Sequence, residues 1–243
     1  MPDDGSPADR PHRAAGAGGP GMTAQLFGKR AMSILLLAVV CFTVFVIPLL
    51  PYGCQKILYN VGFTVIVAAG VASMDTHRRF FIVFAVSAIV VEWLAEVLVI
   101  DVLVVLARLA MVLYFIVVVV GLIMQIARSH RVTLRVIIEA ITGYLLLGLV
   151  FALIVMVLNL VDSGAFSFAS VVDHAGGGTR NYADTIYFAF VTFTTLGYGD
   201  LLPRTPPAKS LAVFVAVIGQ IYLTVVIAML VGKFLSTSQE NRT

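Results

Sequence analysis

A chain of 243 residues that is 60% hydrophobic and only 12% charged, with a mean hydropathy of +1.02, is too apolar for a water-soluble domain and reads as an integral membrane protein. Sixteen Lys and Arg stand against 13 Asp and Glu, and a net charge of +3 gives no reason to expect a nucleic-acid partner. Two cysteines exclude a disulfide framework: Cys41 falls inside an apolar span as a small hydrophobe, and Cys54, at a span end, leaves a bridge between chains open. The histidines (His12, His77, His130, His174) are scattered without metal-ligand spacing.

In chain order, residues 1–28 are rich in Pro, Gly, Ala and Asp, cannot bury a core and are expected to be disordered. They are not read as a signal peptide, because the apolar stretch that follows is too long for one. A spanning helix needs roughly 20 apolar residues. Residues 31–50 meet this, preceded by Lys29 and Arg30 and ended by Pro48 and Pro51. Residues 57–74 form a second, slightly short span, followed by the polar break 75–79. Residues 80–127 run on without Pro or a polar loop; one helix of that length would be about 72 Å long. Two spans are therefore expected there, with a turn near 99–102 around Asp101. After a polar break at 128–135, residues 134–161 form the fifth span. A Gly/Ser-rich loop, 162–182, leads to an apolar stretch, 183–194, too short to cross and read as a re-entrant helix with Asn181 and Asp184 as candidate N-terminal caps. Residues 208–235 form the sixth span.

Positive charge tests this layout. With the N-terminus in the cytoplasm, the inner side carries Lys29, Arg30, Arg78, Arg79, Arg128, Arg131, Arg135 and Lys233, against Lys56, Arg180, Arg204 and Lys209 outside. Both termini are then cytoplasmic, in a multi-pass protein of the cell membrane. No span carries a nucleophile–base pair, a metal set or a phosphate-cradling loop, so an enzyme is not expected.

Between the re-entrant helix and the last span lies Thr194-Thr195-Leu196-Gly197-Tyr198-Gly199-Asp200. A dehydrated cation needs several oxygen ligands at once, and consecutive backbone carbonyls supply them only if all face one side. That requires φ > 0 at alternate positions, which Gly197 and Gly199 adopt without steric penalty. Thr195 can add a hydroxyl oxygen at the inner end, and Asp200 an acid at the outer mouth. The stretch resembles the selectivity filter of the tetrameric potassium channels, usually Thr-Val-Gly-Tyr-Gly-Asp, with Leu196 as the one departure. The resemblance covers about residues 134–235, less than half of the chain. It implies an all-α membrane fold: six transmembrane helices with a re-entrant pore helix and filter loop, in a homotetramer around a central pore. One filter copy per chain requires four chains; potassium transporters with four copies in one chain do not fit, because no internal repeat is present. The domains become a disordered cytoplasmic segment (1–28), a four-helix sensor-like membrane domain (29–130), a pore domain (131–235) and a short cytoplasmic tail (236–243).

The resemblance also assigns roles. Thr195, Leu196, Gly197, Tyr198 and Gly199 form the filter, with K+ held through Thr195, Leu196, Gly197 and Tyr198 as the permeant ion and no other cofactor. Asp200 forms the outer mouth. Thr194, Tyr187 and Phe188 support the filter; Tyr187-Phe188 falls where the family often has paired Trp, and the Tyr187 hydroxyl is placed to reach Asp200. Val191 sits where some relatives carry a Glu paired with the filter Asp. Gly219, on the inner helix, is a gating-hinge candidate, with close helix packing as the equal alternative. Val225, Met229 and Gly232 recur at helical spacing as inner-gate candidates, where a hydrophobic ring gates by dewetting.

Steps of three from Arg108 along the fourth span give Met111, Tyr114, Val117 and Val120, so only one charge lies in that series. One charge moved through 100 mV is worth about 2.3 kcal/mol, and four subunits together about 9 kcal/mol, so strong voltage gating is not expected. Glu92 and Glu96 share a helical face; one of them is expected to pair with Arg108, with a proton-sensing role as the alternative. Trp93 is read as a packing or interface residue. Arg128, Arg131 and Arg135 fall on one face of an expected linker helix and are candidates for anionic lipid headgroups, or a solvated cluster. The whole reads as a potassium-selective channel, similar to prokaryotic six-span members of the voltage-gated-like superfamily. The alternatives are a non-conducting or regulatory membrane subunit, or a weakly selective cation channel.

Overall fold

The computed structural model describes residues 20–73, 78–98, 100–129, 132–168 and 182–240. Residues 1–19, 169–181 (with Arg180 and Asn181) and Arg131, and the side chains of Glu96 and Asp101, lie outside the described ones, and the expectations placed on them with them. The described chain is helical, with one isolated bridge between Phe166 and Pro203. Its α-helices are α1 (Pro20–Cys41), α2 (Tyr52–Ser73), α3 (Arg78–Leu98), α4 (Asp101–Arg128), α5 (Leu134–Val161), α6 (Tyr182–Phe193) and α7 (Pro206–Glu240).

Five of them contain stretches long and apolar enough to cross a membrane: Ala31–Leu49, Gly53–Val71, Val102–Arg128, Leu134–Val161 and Pro206–Ser236. Within the expected third span, α3 carries the apolar run Ile82–Ala95 among the described residues. The break expected around Asp101 is present: α3 ends at Leu98, Ile100 is extended (φ −94°, ψ 114°), and α4 begins at Asp101. Two boundaries differ from expectation. Residues 20–28, assigned above to a disordered segment, belong to α1, and residues 236–240, assigned to the tail, belong to α7. Pro206 stands at the first helical position of α7, where the missing N–H costs nothing.

Pro48 leaves its mark upstream. A proline ring clashes with the carbonyl four residues back, which would be Val44. The chain avoids this by widening to a π-turn over Phe42–Val46 and then tightening to a 3-10 turn over Ile47–Leu49. Gln55 Nε2 on α2 donates to Leu50 O (2.8 Å), satisfying a carbonyl in the connection.

Helix α5 is the centre of the packing, in contact with α1, α4, α6 and α7, and Leu146, Leu149, Leu153 and Val155 on it are fully buried. Two of its glycines admit aromatic rings from other helices. A Cβ at Gly143 would collide with the Tyr222 hydroxyl on α7, and one at Gly148 would lie 2.6 Å from the Phe190 ring on α6. Tyr222 Oη donates to Ala140 O across the same crossing (2.8 Å). Small residues at crossings let helices approach within van der Waals distance, which drives association where lipid removes the hydrophobic incentive.

The break between α4 and α5 corrects the expected linker helix. Ser129 N–H bonds to Gln125 O and Ile126 O and ends α4; Thr133 is extended and caps α5. Arg128 and Arg135 therefore do not share a helix face. Arg135 is also engaged within the chain, its Nε 2.6 Å from Glu139 Oε1. Lys233 of α7 donates to Ile126 O and Ala127 O, the end carbonyls of α4, as a cation at a helix C-terminus is favoured to do. Between α3 and α4, Arg108 Nη1 lies 2.6 Å from Glu92 Oε1, with both residues almost fully buried. This is the structural pair expected from sequence, with Glu92 as its acid.

Gly143→Ala is expected to destabilise the protein by about 1–3 kcal/mol, the usual cost of an overpacked contact. Thermal unfolding in detergent measures it. Tyr222→Phe, which removes the colliding oxygen, should recover part of the loss in the double variant.

Candidate functional site

The loop 194–200 is built on the last turn of α6. Thr194 N–H donates to Phe190 O (2.9 Å) and Thr195 N–H to Thr192 O (3.0 Å), closing the helix. Leu196 N–H and Gly197 N–H then both donate to Val191 O (3.0 and 3.1 Å), so the chain doubles back on the helix end. From there φ is positive at Thr195 (60°), Gly197 (58°) and Gly199 (77°), with Leu196 and Tyr198 between them on the ordinary side. Alternating handedness turns successive carbonyls to one side of the strand.

Nothing lies within 4 Å of a Cβ built on Gly197 or Gly199. The demand for glycine there is conformational, not one of space. Thr195 meets the same demand as a β-branched residue, a strained state worth about 1–3 kcal/mol that neighbours must hold. Its hydroxyl donates to Thr194 O (2.6 Å) and accepts from Gln220 Nε2 on α7 (3.3 Å). Gln220 was not singled out from sequence; the available signal was a polar residue inside an apolar span, next to Gly219.

Gly219 explains how α7 comes so close. A Cβ there would collide with Phe193 O at the end of α6 and lie 2.9 Å from the Phe193 ring. Close packing therefore accounts for this glycine without any bending.

At the far end of the loop the Tyr187 hydroxyl donates to Asp200 Oδ2 (2.6 Å), the contact expected from the sequence. That donated bond holds the Asp200 carboxyl below the usual carboxylate range. Beyond it, the chain is tied to the segment after α5. Leu202 N–H donates to Ser167 Oγ (2.7 Å), Ser167 N–H to Leu202 O (2.8 Å) and Arg204 N–H to Ala165 O (2.8 Å). Phe188 is buried, its ring edge-on to Phe166 at 5.0 Å. Ser167 and Phe166 had no local signal in the sequence, because their partners lie more than 20 residues away. A cavity of about 180 Å³ lies behind the loop, with Val191, Phe188, Leu201 and Ala212 among its lining residues.

Side chains of 194–200 are exposed in the single chain, Tyr198 by 67% and Leu196 by 56%. Among the inner-gate candidates, Val225 and Gly232 are exposed on α7, and Met229 is half-buried against the core. At i, i+4 and i+7 the three share one side of α7.

Residues 155–236 match a family model described as "Ion channel". The matched stretch takes in the last quarter of α5, α6, the loop and most of α7, and does not extend to α1–α4. "Two-pore potassium channel 4" of Arabidopsis thaliana is 34% identical over 94 residues, which is 38% of this chain and 32% of that protein. "Two pore potassium channel b" of Oryza sativa subsp. japonica is 46% identical over 50 residues, 20% of this chain and 14% of that protein. "Small conductance calcium-activated potassium channel-like protein 3" of Caenorhabditis elegans is 34% identical over 61 residues, 25% of this chain and 9% of that protein. The matched segments thus span about a third or less of these relatives. The matched family and these relatives are named as channels, not as enzymes.

Tyr187→Phe should raise the pH at which Asp200 takes up a proton. The hydroxyl stabilises the charged carboxylate, a benefit present at neutral pH and lost as pH falls through the depressed pKa, so without it the midpoint moves up toward the ordinary value. Carbon-13 NMR of the Asp200 carboxyl follows the titration; an unchanged midpoint would contradict the assignment.

Proposed function

We propose that this chain is one subunit of a potassium-selective channel of the cell membrane, in which four copies surround a pore lined by residues 195–199. The observation that carries the proposal is the alternation of φ at Thr195, Gly197 and Gly199, which gives the carbonyls of this loop a common direction. Rings of such oxygens replace the hydration shell of K+ and release it to the next ring. Thr195, Leu196, Gly197 and Tyr198 supply the carbonyls, Thr195 adds its hydroxyl, and Asp200 places an acid at the outer mouth. The match to an ion-channel model over this segment and the names of the relatives support the same reading.

A single loop cannot encircle an ion, which is the argument for four chains. The surface of α7 agrees with it. Only 22% of its apolar stretch is buried within the chain, and Val213, Phe214, Val217 and Ile221 are at least half exposed. The apolar runs support six spans, and the charge layout of the loops supports cytoplasmic termini and an outward-facing Asp200. Helix α6 aims its C-terminal carbonyl end at the space below the loop, where the negative end of its dipole favours a cation. Strong voltage gating forms no part of the proposal, since Arg108 is buried against Glu92. Arg128 remains a candidate contact for anionic lipid. The kinship proposed is with prokaryotic six-span members of the voltage-gated-like superfamily.

Purified protein in planar bilayers with a K+-rich solution on one side and a Na+-rich solution containing some K+ on the other should show a reversal potential close to the K+ equilibrium value. Equal permeability to the two ions would reduce the proposal to a weakly selective cation channel, and no current would favour the non-conducting subunit. Gly197→Ala, which forces an L-residue into the left-handed region at roughly 1–2 kcal/mol per subunit, should abolish K+ current while leaving the oligomer intact by size-exclusion chromatography.

A further inference from the structure

The buried charge on α4 has a second partner. Arg108 is 1% exposed, Glu92 on α3 3%, Tyr182 at the first turn of α6 3%, and Tyr59 on α2 0%. Arg108 Nη1 lies 2.6 Å from Glu92 Oε1, while Nη2 donates to the Tyr182 hydroxyl at 2.6 Å. The guanidinium carbon is 5.4 Å from the centroid of the Tyr182 ring, and that ring stacks on Tyr59 at 5.3 Å with 16° between planes. Four helices, α2, α3, α4 and α6, are therefore joined through the Arg108–Tyr182 pair.

The geometry uses what is particular to arginine. Its planar fork offers separate nitrogens to two partners in fixed directions, which a single ammonium cannot do. A buried ion pair is weak evidence of stabilisation, since its desolvation offsets much of the attraction. Direction, not net energy, is what this arrangement supplies. It also immobilises the charge, because moving Arg108 along the membrane normal would break both contacts together.

What Arg108 holds is the far end of the filter's support. Helix α6 has 12 residues, a rod of about 18 Å. Tyr182 stands at one end; Phe190 O and Val191 O, which anchor Thr194, Leu196 and Gly197, stand at the other. A shift at the Tyr182 end is carried to the loop.

We propose that Arg108 is a positioning residue that fixes α6 through Tyr182, so that the arrangement of α2, α3 and α4 is transmitted directly to the conducting loop. This rests on the conduction reading above. Helices α2, α3 and α4 then act on the loop through the outer half of the protein, as a mechanical input distinct from any gate at the inner end of α7. The charge of Arg108 serves to hold a tyrosine, not to sense voltage.

The test compares wild type, Arg108→Lys, Tyr182→Phe and the double variant in bilayers with symmetrical K+. Arg108→Lys keeps a charge beside Glu92 but cannot reach both partners; Tyr182→Phe keeps the ring and its stack on Tyr59 and removes only the hydroxyl. Absence of K+ current in wild type would overturn the proposed function itself. With wild-type current present, each single variant should lower open probability by about 2- to 10-fold, the equilibrium factor of one lost hydrogen bond. The double variant should be no worse than either single one, because both remove the same link. Raising K+ should recover part of the loss, since an ion that binds the ordered loop stabilises it by mass action. The inference is overturned if the single variants match wild type, if their effects add, if they act as a shift along the voltage axis, or if only the thermal unfolding temperature changes.

Discussion

A peptide strand whose carbonyls all face one way cannot hold itself. Each residue must reverse the handedness of the one before, no ladder forms with a neighbour, and the conformation persists only where surrounding groups leave no alternative. Everything around 194–200 can be understood as meeting that constraint. Next to α6 the Val191 carbonyl takes two N–H groups and Gln220 meets the Thr195 hydroxyl. At the far end Tyr187 holds Asp200, and the backbone pairing of 165–167 with 202–204 fixes the chain that follows. The loop is suspended between these two sets of contacts, with glycine at two of the three positions where handedness inverts.

Those contacts depend on how closely the helices approach. Gly219 lets α7 lie against the end of α6, and without that approach Gln220 would not reach Thr195. Gly148 admits the Phe190 ring between α5 and α6, and Gly143 admits Tyr222 between α5 and α7. Each is a place where a missing side chain on one helix sets the position of another. The precision required of the loop is thus distributed over helix crossings some distance from it.

Much of this was legible in the order of residues, and the reasons differ by element. Apolar length located the helices, and the excessive length of 80–127 alone demanded the break that lies between Leu98 and Asp101. Gly197 and Gly199 announced positive φ because little else tolerates it. Thr195, at φ 60°, did not, since nothing in a threonine marks a left-handed residue. Tyr187 could be matched to Asp200, whereas Ser167 with Leu202 and Arg108 with Tyr182 could not. Those pairs lie 35 and 74 residues apart and are brought together only by the tertiary fold. Near both termini helix runs past the apolar stretch, through 20–28 and 236–240, because polar residues do not by themselves stop a helix.

The join between α4 and α5 carries a consequence for how such an object comes into being. The two helices are packed side by side and separated by only a few residues, and α1 also lies against α5. The peripheral helices are therefore folded onto the central segment of their own chain. On the tetrameric reading, each newly made polypeptide can finish this packing alone as it leaves the insertion machinery, before it encounters a sibling. Assembly then joins completed parts along α7 and the loop, and a defect confined to the outer helices is present in the lone protomer, where quality control can meet it before four chains have been committed.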